Sequence, residues 1–244
     1  MSPPGYRGTV VAMDGYGGDQ IRAAERPHLD AGEALMQRAA DGLARIVGDL
    51  LDDPAVRPGD GPGSVLLLVG SGDNGGDALF AGARLATAGR HVAVLRVGSR
   101  VHEAGLAAAL DAGARFLDDP AGPEAAVTDA ALDADLVLDA ILGIGVRGPA
   151  ALRSPAREVV DAVRELARDQ RAPFVVAVDV PSGIDVDTGG IADDHVLHAD
   201  VTVTFGGVKA GLLTGPAATL AGRIELVDVG IGADLATMEP LVRT

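Results

Sequence analysis

Val65-Leu-Leu-Leu-Val-Gly-Ser-Gly-Asp-Asn-Gly-Gly-Asp77 is the stretch on which the fold turns. The apolar run Val65–Val69 has no polar alternation, runs into a glycine turn, and is followed at once by a helix-forming segment. In this strand–loop–helix setting Gly70-x-Gly72-x-x-Gly75 would cradle a phosphate at the helix start. Asp73 and Asp77 complicate that picture, because a bare diphosphate would meet two carboxylates. A cation or sugar hydroxyls between them would remove the conflict. The loop therefore indicates a nucleotide-like ligand accompanied by a cation, which is narrower than a dinucleotide enzyme.

Outward from this stretch the pattern is regular. Candidate strands are 65–69, 92–97, 136–139, 174–179, 201–205 and 224–227, and helical stretches at 77–88, 102–112, 123–131 and 154–168 separate most of them. Uninterrupted apolar strands alternating with helices of this length predict a parallel sheet covered on both faces. Upstream, 19–25 and 31–51 are helical, the second with Leu35, Met36, Ala39, Leu43, Ile46, Val47 and Leu50 on one face. Pro54, Pro58 and Pro62 mark a loop that divides them from the alternating part. The expected fold is α/β: a Rossmann-like three-layer α/β/α sandwich with a mostly parallel central sheet and an N-terminal helical extension. We expect one domain over 1–244, with 1–11 disordered.

Composition removes several function classes. A formal net charge of −15 leaves no basic surface for nucleic acid or anionic membrane. Tyr and Phe number two and four and Trp is absent, so single-strand binding has no stacking platform. Without cysteine there is no disulfide, thiolate catalysis or cysteine-bound zinc, which fits a reducing compartment. The apolar runs are too short to span a bilayer, and no basic segment followed by an apolar one opens the chain. The expected location is cytoplasmic.

In such a sheet the ligand lies beyond the carboxyl ends of the strands. There the sequence places Gly70–Asp77, then Asp139 with Gly143-Ile144-Gly145-Val146-Arg147-Gly148, then Asp179, Pro181, Ser182, Gly183 and Asp185, then Gly206, Gly207 and Lys209. A strand-terminal Asp often only caps the next helix, which stabilises by about 1 kcal/mol without any function. The convergence of several oxygen side chains and two glycine loops on one edge favours a site. Asn74, Asp139 and Ser182 offer an amide oxygen, a carboxylate and a hydroxyl, donors that suit Mg²⁺, Ca²⁺ or an alkali ion better than zinc or copper. One carboxylate among neutral oxygens points toward a monovalent ion. Arg147, among its glycines, could neutralise a diphosphate. His195 and His198, near Asp193, Asp194 and Asp200, lack a well-spaced third histidine and read as a solvated loop. No Gly-x-Ser-x-Gly elbow is present for a serine hydrolase.

These motifs, in order and spacing, resemble the NAD(P)H-hydrate epimerases, also called the YjeF N-terminal domain family. The resemblance rests on Gly70–Asp77, Asp139–Gly148, Ala177–Asp185 and Thr202–Phe205 with Lys209–Leu212, supported by Asp19–Arg22, Leu35–Ala40 and Asp228–Ile231. It implies a substrate, NADH or NADPH hydrated at C6 of the nicotinamide, whose R and S epimers the family interconverts. It also implies substrate contacts at Asp73, Asn74, Gly75, Gly76, Asp77, Gly143, Ile144, Gly145, Val146, Arg147, Gly148, Pro149 and Asp179. Asn74, Asp139 and Ser182 would hold a potassium ion, and Asp179 would act at the reacting carbon. This chain departs from the family at Asp73, where Asn is usual, and at Ala78, where Gly is usual. Many relatives continue into a dehydratase domain. Here that activity is expected in a separate protein. Relatives are often dimers, and the apolar helix at 31–51 offers a homodimer interface, although covering the sheet is its simpler use. Two alternatives remain: an NAD(P)-dependent oxidoreductase, in which Arg96 would meet a 2′-phosphate, and a non-catalytic Rossmann-like binding module.

Overall fold

A computed structural model of the chain describes residues 13–117, 122–145, 148, 151–168 and 173–244. The segment expected to be disordered, 1–11, lies outside these. In chain order the elements are β1 (Asp14–Tyr16), α1 (Gly18–Asp30), α2 (Leu35–Asp52), β2 (Ser64–Val69), α3 (Asp73–Thr87), β3 (His91–Arg96), α4 (Glu103–Asp111), β4 (Arg115–Leu117) and α5 (Pro123–Leu132). There follow β5 (Leu136–Ala140), α6 (Ala156–Arg168), β6 (Phe174–Val178), β7 (Val201–Phe205), β8 (Val208–Lys209), β9 (Arg223–Val227), α7 (Gly232–Leu235) and β10 (Val242–Arg243).

Seven strands form the central sheet in the order β4-β3-β2-β5-β6-β7-β9, every pair parallel. The chain winds outward from β2 through β3 to β4, then returns to β5 on the other side. The carboxyl ends of β2 and β5 therefore flank the topological switch point where such sheets bind ligands. Alternate residues of β2 feed two apolar layers. Val65, Leu67 and Val69 pack with α2 and α3, and Leu66 and Leu68 pack with α5 and α6. Both faces are buried, which is why the sequence shows no polar alternation. In α2, Leu35, Ala39, Leu43 and Val47 join the first layer, so its apolar face is used within the chain. Burying each leucine contributes roughly 1.5–3 kcal/mol.

Three details differ from the sequence expectation. The third helix begins at Asp73 rather than Asp77, so most of the glycine "loop" is the helix's own first turn. Gly75 makes this possible, because a Cβ there would lie 2.6 Å from the Gly70 carbonyl oxygen. The first helix runs on past Glu25 to Asp30, and the second starts at Leu35. Finally, β1, β8 and β10 form a small second sheet in the order β10-β1-β8. The N-terminal segment is thus woven into the fold as well as helical.

Candidate functional site

Because β2, β5, β6 and β7 run parallel, their carboxyl ends open on one edge of the sheet, and a cavity of about 1350 Å³ lies there. Its walls include Glu25 from α1, Asp73, Asn74 and Asp77 from the first turn of α3, Asp179 after β6 and Lys209 at the end of β8. Starting a helix here aims free backbone N–H groups into the cavity, a setting that favours anionic groups.

Asp139 is the fourth residue of β5 and is fully buried. Its two carboxylate oxygens accept from Ser182, the backbone N–H at 2.9 Å on Oδ2 and the hydroxyl at 2.6 Å on Oδ1. Burial raises the Asp139 carboxyl above its ordinary value, opposed by these hydrogen bonds and by a weaker one from the Ile141 N–H. The Ser182 Oγ also lies 2.9 Å from the Leu142 N–H, which donates to it. Asn74, 7 % exposed, donates through Nδ2 to the Leu142 carbonyl at 3.1 Å. Its Oδ1 is the one buried side-chain polar atom without a hydrogen-bond partner among the described residues. An orphaned amide oxygen in such a setting normally costs about 1–3 kcal/mol unless something positive meets it. Together with one carboxylate and one hydroxyl, it is a donor set that fits a weakly charged hard cation.

Asp179 follows β6 directly and is the only non-glycine residue with positive φ, 68°, among those described. Its Oδ1 receives the ammonium of Lys209, 30 residues later in the chain, in a buried ion pair. Thr204 Oγ1 at 3.3 Å and the Phe205 N–H at 3.4 Å donate to the same oxygen, and Lys209 also donates to the Phe205 carbonyl at 2.8 Å. Lys209 is 1 % exposed, so its charge is committed to Asp179 and this carbonyl. Around the pair stand further carboxyls. Burial pushes Asp77 well above the usual carboxylate range, reinforced by the charges of Asp179 and Asp73 and opposed by Lys209. Burial likewise raises Glu25, with Lys209 pulling it back and Asp179 adding to the rise. The cavity floor can thus hold a charged carboxylate–ammonium pair beside carboxyls biased toward their neutral form, the combination that proton transfer needs.

The structure brings Asp73, Asn74, Asp77, Gly143, Ile144, Gly145 and Asp179 to this cavity, with Gly75 and Gly76 in the helix turn above it. Ile144 is pinned by Arg22, whose Nη1 donates to its carbonyl at 2.6 Å. Gly148 is described, with φ of 74°, whereas Val146, Arg147 and Pro149 lie outside the described residues. Asp185 is not brought in as a cavity-lining group; its Oδ1 caps the turn through the N–H groups of Asp187 and Thr188, both at 2.9 Å. His195 lies elsewhere, with Nδ1 2.6 Å from Asp161 Oδ1, and no cluster of three or more acidic, His or Cys side chains suited to a metal occurs among the described residues. Sequence reasoning missed Glu25 as a wall of the cavity and Lys209 as the partner of Asp179. Lys209 was visible as a loop residue after β7, but nothing in its spacing announced an ion pair.

Residues 32–211 match the family described as YjeF-related protein N-terminus. The chain is 49 % identical over 96 % of its length to the NAD(P)H-hydrate epimerase of Clavibacter michiganensis, covering 97 % of that protein. It is 47 % identical over 97 % of its length to the NAD(P)H-hydrate epimerase of Microbacterium testaceum, covering 86 % of it. With the bifunctional NAD(P)H-hydrate repair enzyme of Mycobacterium tuberculosis it shares 43 % identity over 93 % of this chain and 43 % of that one. The crystal structure of the yeast protein ynu0 superposes with a TM-score of 0.67 at 20 % identity, over 82 % of this chain and 83 % of that one, a likeness of fold. No helix among the described residues is long and apolar enough to cross a membrane.

Proposed function

Since the chain belongs to the YjeF-related N-terminal family of NAD(P)H-hydrate epimerases, we propose that it interconverts the R and S forms of C6-hydrated NADH and NADPH with Asp179 at the reacting carbon. The observation that carries this reading is the Asp179 carboxylate, held at positive φ and ion-paired to buried Lys209 on the cavity floor. Inverting C6 requires the C–O bond to break and re-form, or the ring to open at C6–N1 and close again. The first route develops positive charge over C6 and N1 and needs a proton on the departing hydroxyl, and the second removes the hydroxyl proton while N1 takes one up. Asp179 can stabilise that charge or carry the hydroxyl proton, while Lys209 fixes the direction of its carboxylate. Asp77 and Glu25, biased toward the neutral form, are placed to supply the complementary proton.

Asn74, Asp139 and Ser182 would hold a potassium ion, which supplies positive charge near the helix start where the acidic loop alone would repel a diphosphate. The partnerless Asn74 Oδ1 supports this assignment. Gly75, Gly76 and the 143–149 loop would contact the substrate through backbone groups. Asp73, in place of the usual Asn, is exposed at the helix start and would serve as an extra cation contact. The activity is placed in the cytoplasm, a reading supported by the absence of cysteine. The epimer produced would pass to a companion dehydratase, and the bifunctional name of the mycobacterial relative is consistent with a second repair activity.

The test is to supply one purified epimer of NADH hydrate and follow C6 by NMR, with and without potassium. Epimerisation faster than the spontaneous rate, enhanced by potassium, is expected. Asp179→Asn, still folded, should lose roughly 10²–10⁴-fold in rate. No acceleration by the wild-type protein would leave a non-catalytic binding module as the better description, and hydride exchange with an alcohol would revive the oxidoreductase. A normal rate in Asp179→Asn would remove Asp179 from the mechanism.

A further inference from the structure

We propose that Arg96 forms a subsite for a phosphate on the adenosine 2′ oxygen, so that the protein acts on the hydrate of NADPH in preference to that of NADH. This rests on the epimerase reading above and adds to it which dinucleotide is favoured.

Arg96 ends β3, in register with Val69 at the end of β2, and so stands beside the Gly70–Asn74 turn. In sheets of this winding the end of the neighbouring strand, about 20 residues after the glycine turn, reads the adenosine ribose: an acid there accepts from the 2′-hydroxyl, and an arginine accommodates a 2′-phosphate. This chain has no acid at that position. The Arg96 side chain is exposed, lines the cavity, and has no hydrogen-bond or ion-pair partner among the described residues. In a chain of net charge −15, an uncommitted guanidinium facing the cavity is a conspicuous exception.

Its placement is firm. The N–H groups of Val97 and Gly98 both donate to the Val69 carbonyl, at 2.8 and 3.2 Å. The Arg100 N–H donates to Ser71 Oγ at 3.1 Å, and a Cβ on Gly98 would lie only 2.3 Å from that oxygen. The turn after β3 is thereby clamped to the turn after β2. Ser99 and Arg153 line the same cavity and add a hydroxyl and a second guanidinium.

The cavity is also polarised. Asp179 follows β6 and its charge acts on Asp77 and Glu25, whereas Arg96 ends β3, three strand spacings or roughly 14 Å from β6 across the sheet. A dinucleotide lying along that edge places its nicotinamide by the carboxyls and its adenosine phosphate by the arginine. The reverse orientation would set a phosphate dianion among carboxylates.

The experiment compares kcat/KM on matched epimers of NADPH hydrate and NADH hydrate, and measures binding of 2′-phospho-ADP-ribose against ADP-ribose by calorimetry. The wild-type protein should favour the 2′-phosphorylated ligand by roughly tenfold or more in both readouts. Arg96→Ala should bring both ratios close to one, and Arg96→Asp should reverse them. A wild-type ratio near one, a ratio unchanged in Arg96→Ala, or no detectable binding of 2′-phospho-ADP-ribose would overturn the proposal. Epimerisation of both hydrates at equal efficiency would sink the subsite and leave the epimerase reading standing. An Arg96-dependent binding preference without any epimerisation would do the opposite.

Discussion

Asp179 sits where few side chains settle, and the surroundings have to hold it there. A non-glycine residue at φ of 68° costs of order 1–3 kcal/mol, retained only where neighbouring contacts over-determine it. The Lys209 ion pair and the donors from Thr204 and Phe205 do this, which links the strain to the site's chemistry. The residues flanking Asp179 can be probed through pH. Asp77 has a carboxyl raised above its ordinary value of 3.8, so between that value and its folded one the native state binds more protons than the unfolded chain. Stability must then fall as pH rises through that window. Asp77→Asn should leave Tm nearly unchanged at pH 3.5 and raise it relative to wild type at pH 7, read by thermal unfolding across pH 3.5–8. A variant whose Tm tracks wild type throughout would show that Asp77 carries no such penalty. At this scale the sequence was informative about oxygen donors and less so about partners. Asp139, Asp179 and Ser182 declare themselves by ending strands or following them. Glu25 does not, because helical periodicity shows that a residue leaves the apolar stripe but not what its polar face looks onto.

Elements set how close these groups come. The turn after β2 passes the turn after β5 so tightly that a Cβ on Gly70 would lie 1.9 Å from the Ile141 carbonyl oxygen. The obstacle is backbone and cannot swing away as a flexible side chain would. Gly70→Ala should therefore destabilise by about 3 kcal/mol and lower Tm by roughly 6–12 °C, while separating Asn74 from the Leu142 carbonyl. Thermal unfolding checks the first effect, and loss of potassium-dependent stabilisation checks the second. A Tm within 2 °C of wild type would contradict the close approach. The six long strands were legible from their apolar runs because burial on both faces suppresses alternation. The start of α3 was not, since Gly75 and Gly76 read as helix breakers unless the carbonyl behind them is known. The short strands β1, β4, β8 and β10, of two or three residues, fall below the length at which any period can be recognised.

Across the whole molecule, the parallel pairing of the central sheet follows from its alternation of strand and helix. What the pattern could not convey is the small second sheet. Its middle strand, β1, pairs antiparallel with β10, Asp14 opposite Arg243, and parallel with β8, Tyr16 opposite Lys209. Residues from near the N-terminus are thus laid against the strand that carries the Asp179 partner, and residues from the C-terminus are laid against them in turn. Deleting 241–244 should expose one edge of β1 and loosen Lys209. The expected result is a lower Tm together with faster amide exchange at Val208 and Lys209; unchanged exchange there would separate the C-terminal strand from the site.

That arrangement also makes the described chain almost a ring. Residues 13 and 244 are already hydrogen-bonded to one another, the Thr244 N–H to the Met13 carbonyl at 3.2 Å and the Met13 N–H to the Thr244 hydroxyl at 3.2 Å. A short covalent linker between them, with new ends opened in the 53–63 loop, would give a circular permutant in which Lys209 is held by continuous backbone instead of by a clasp that can fray.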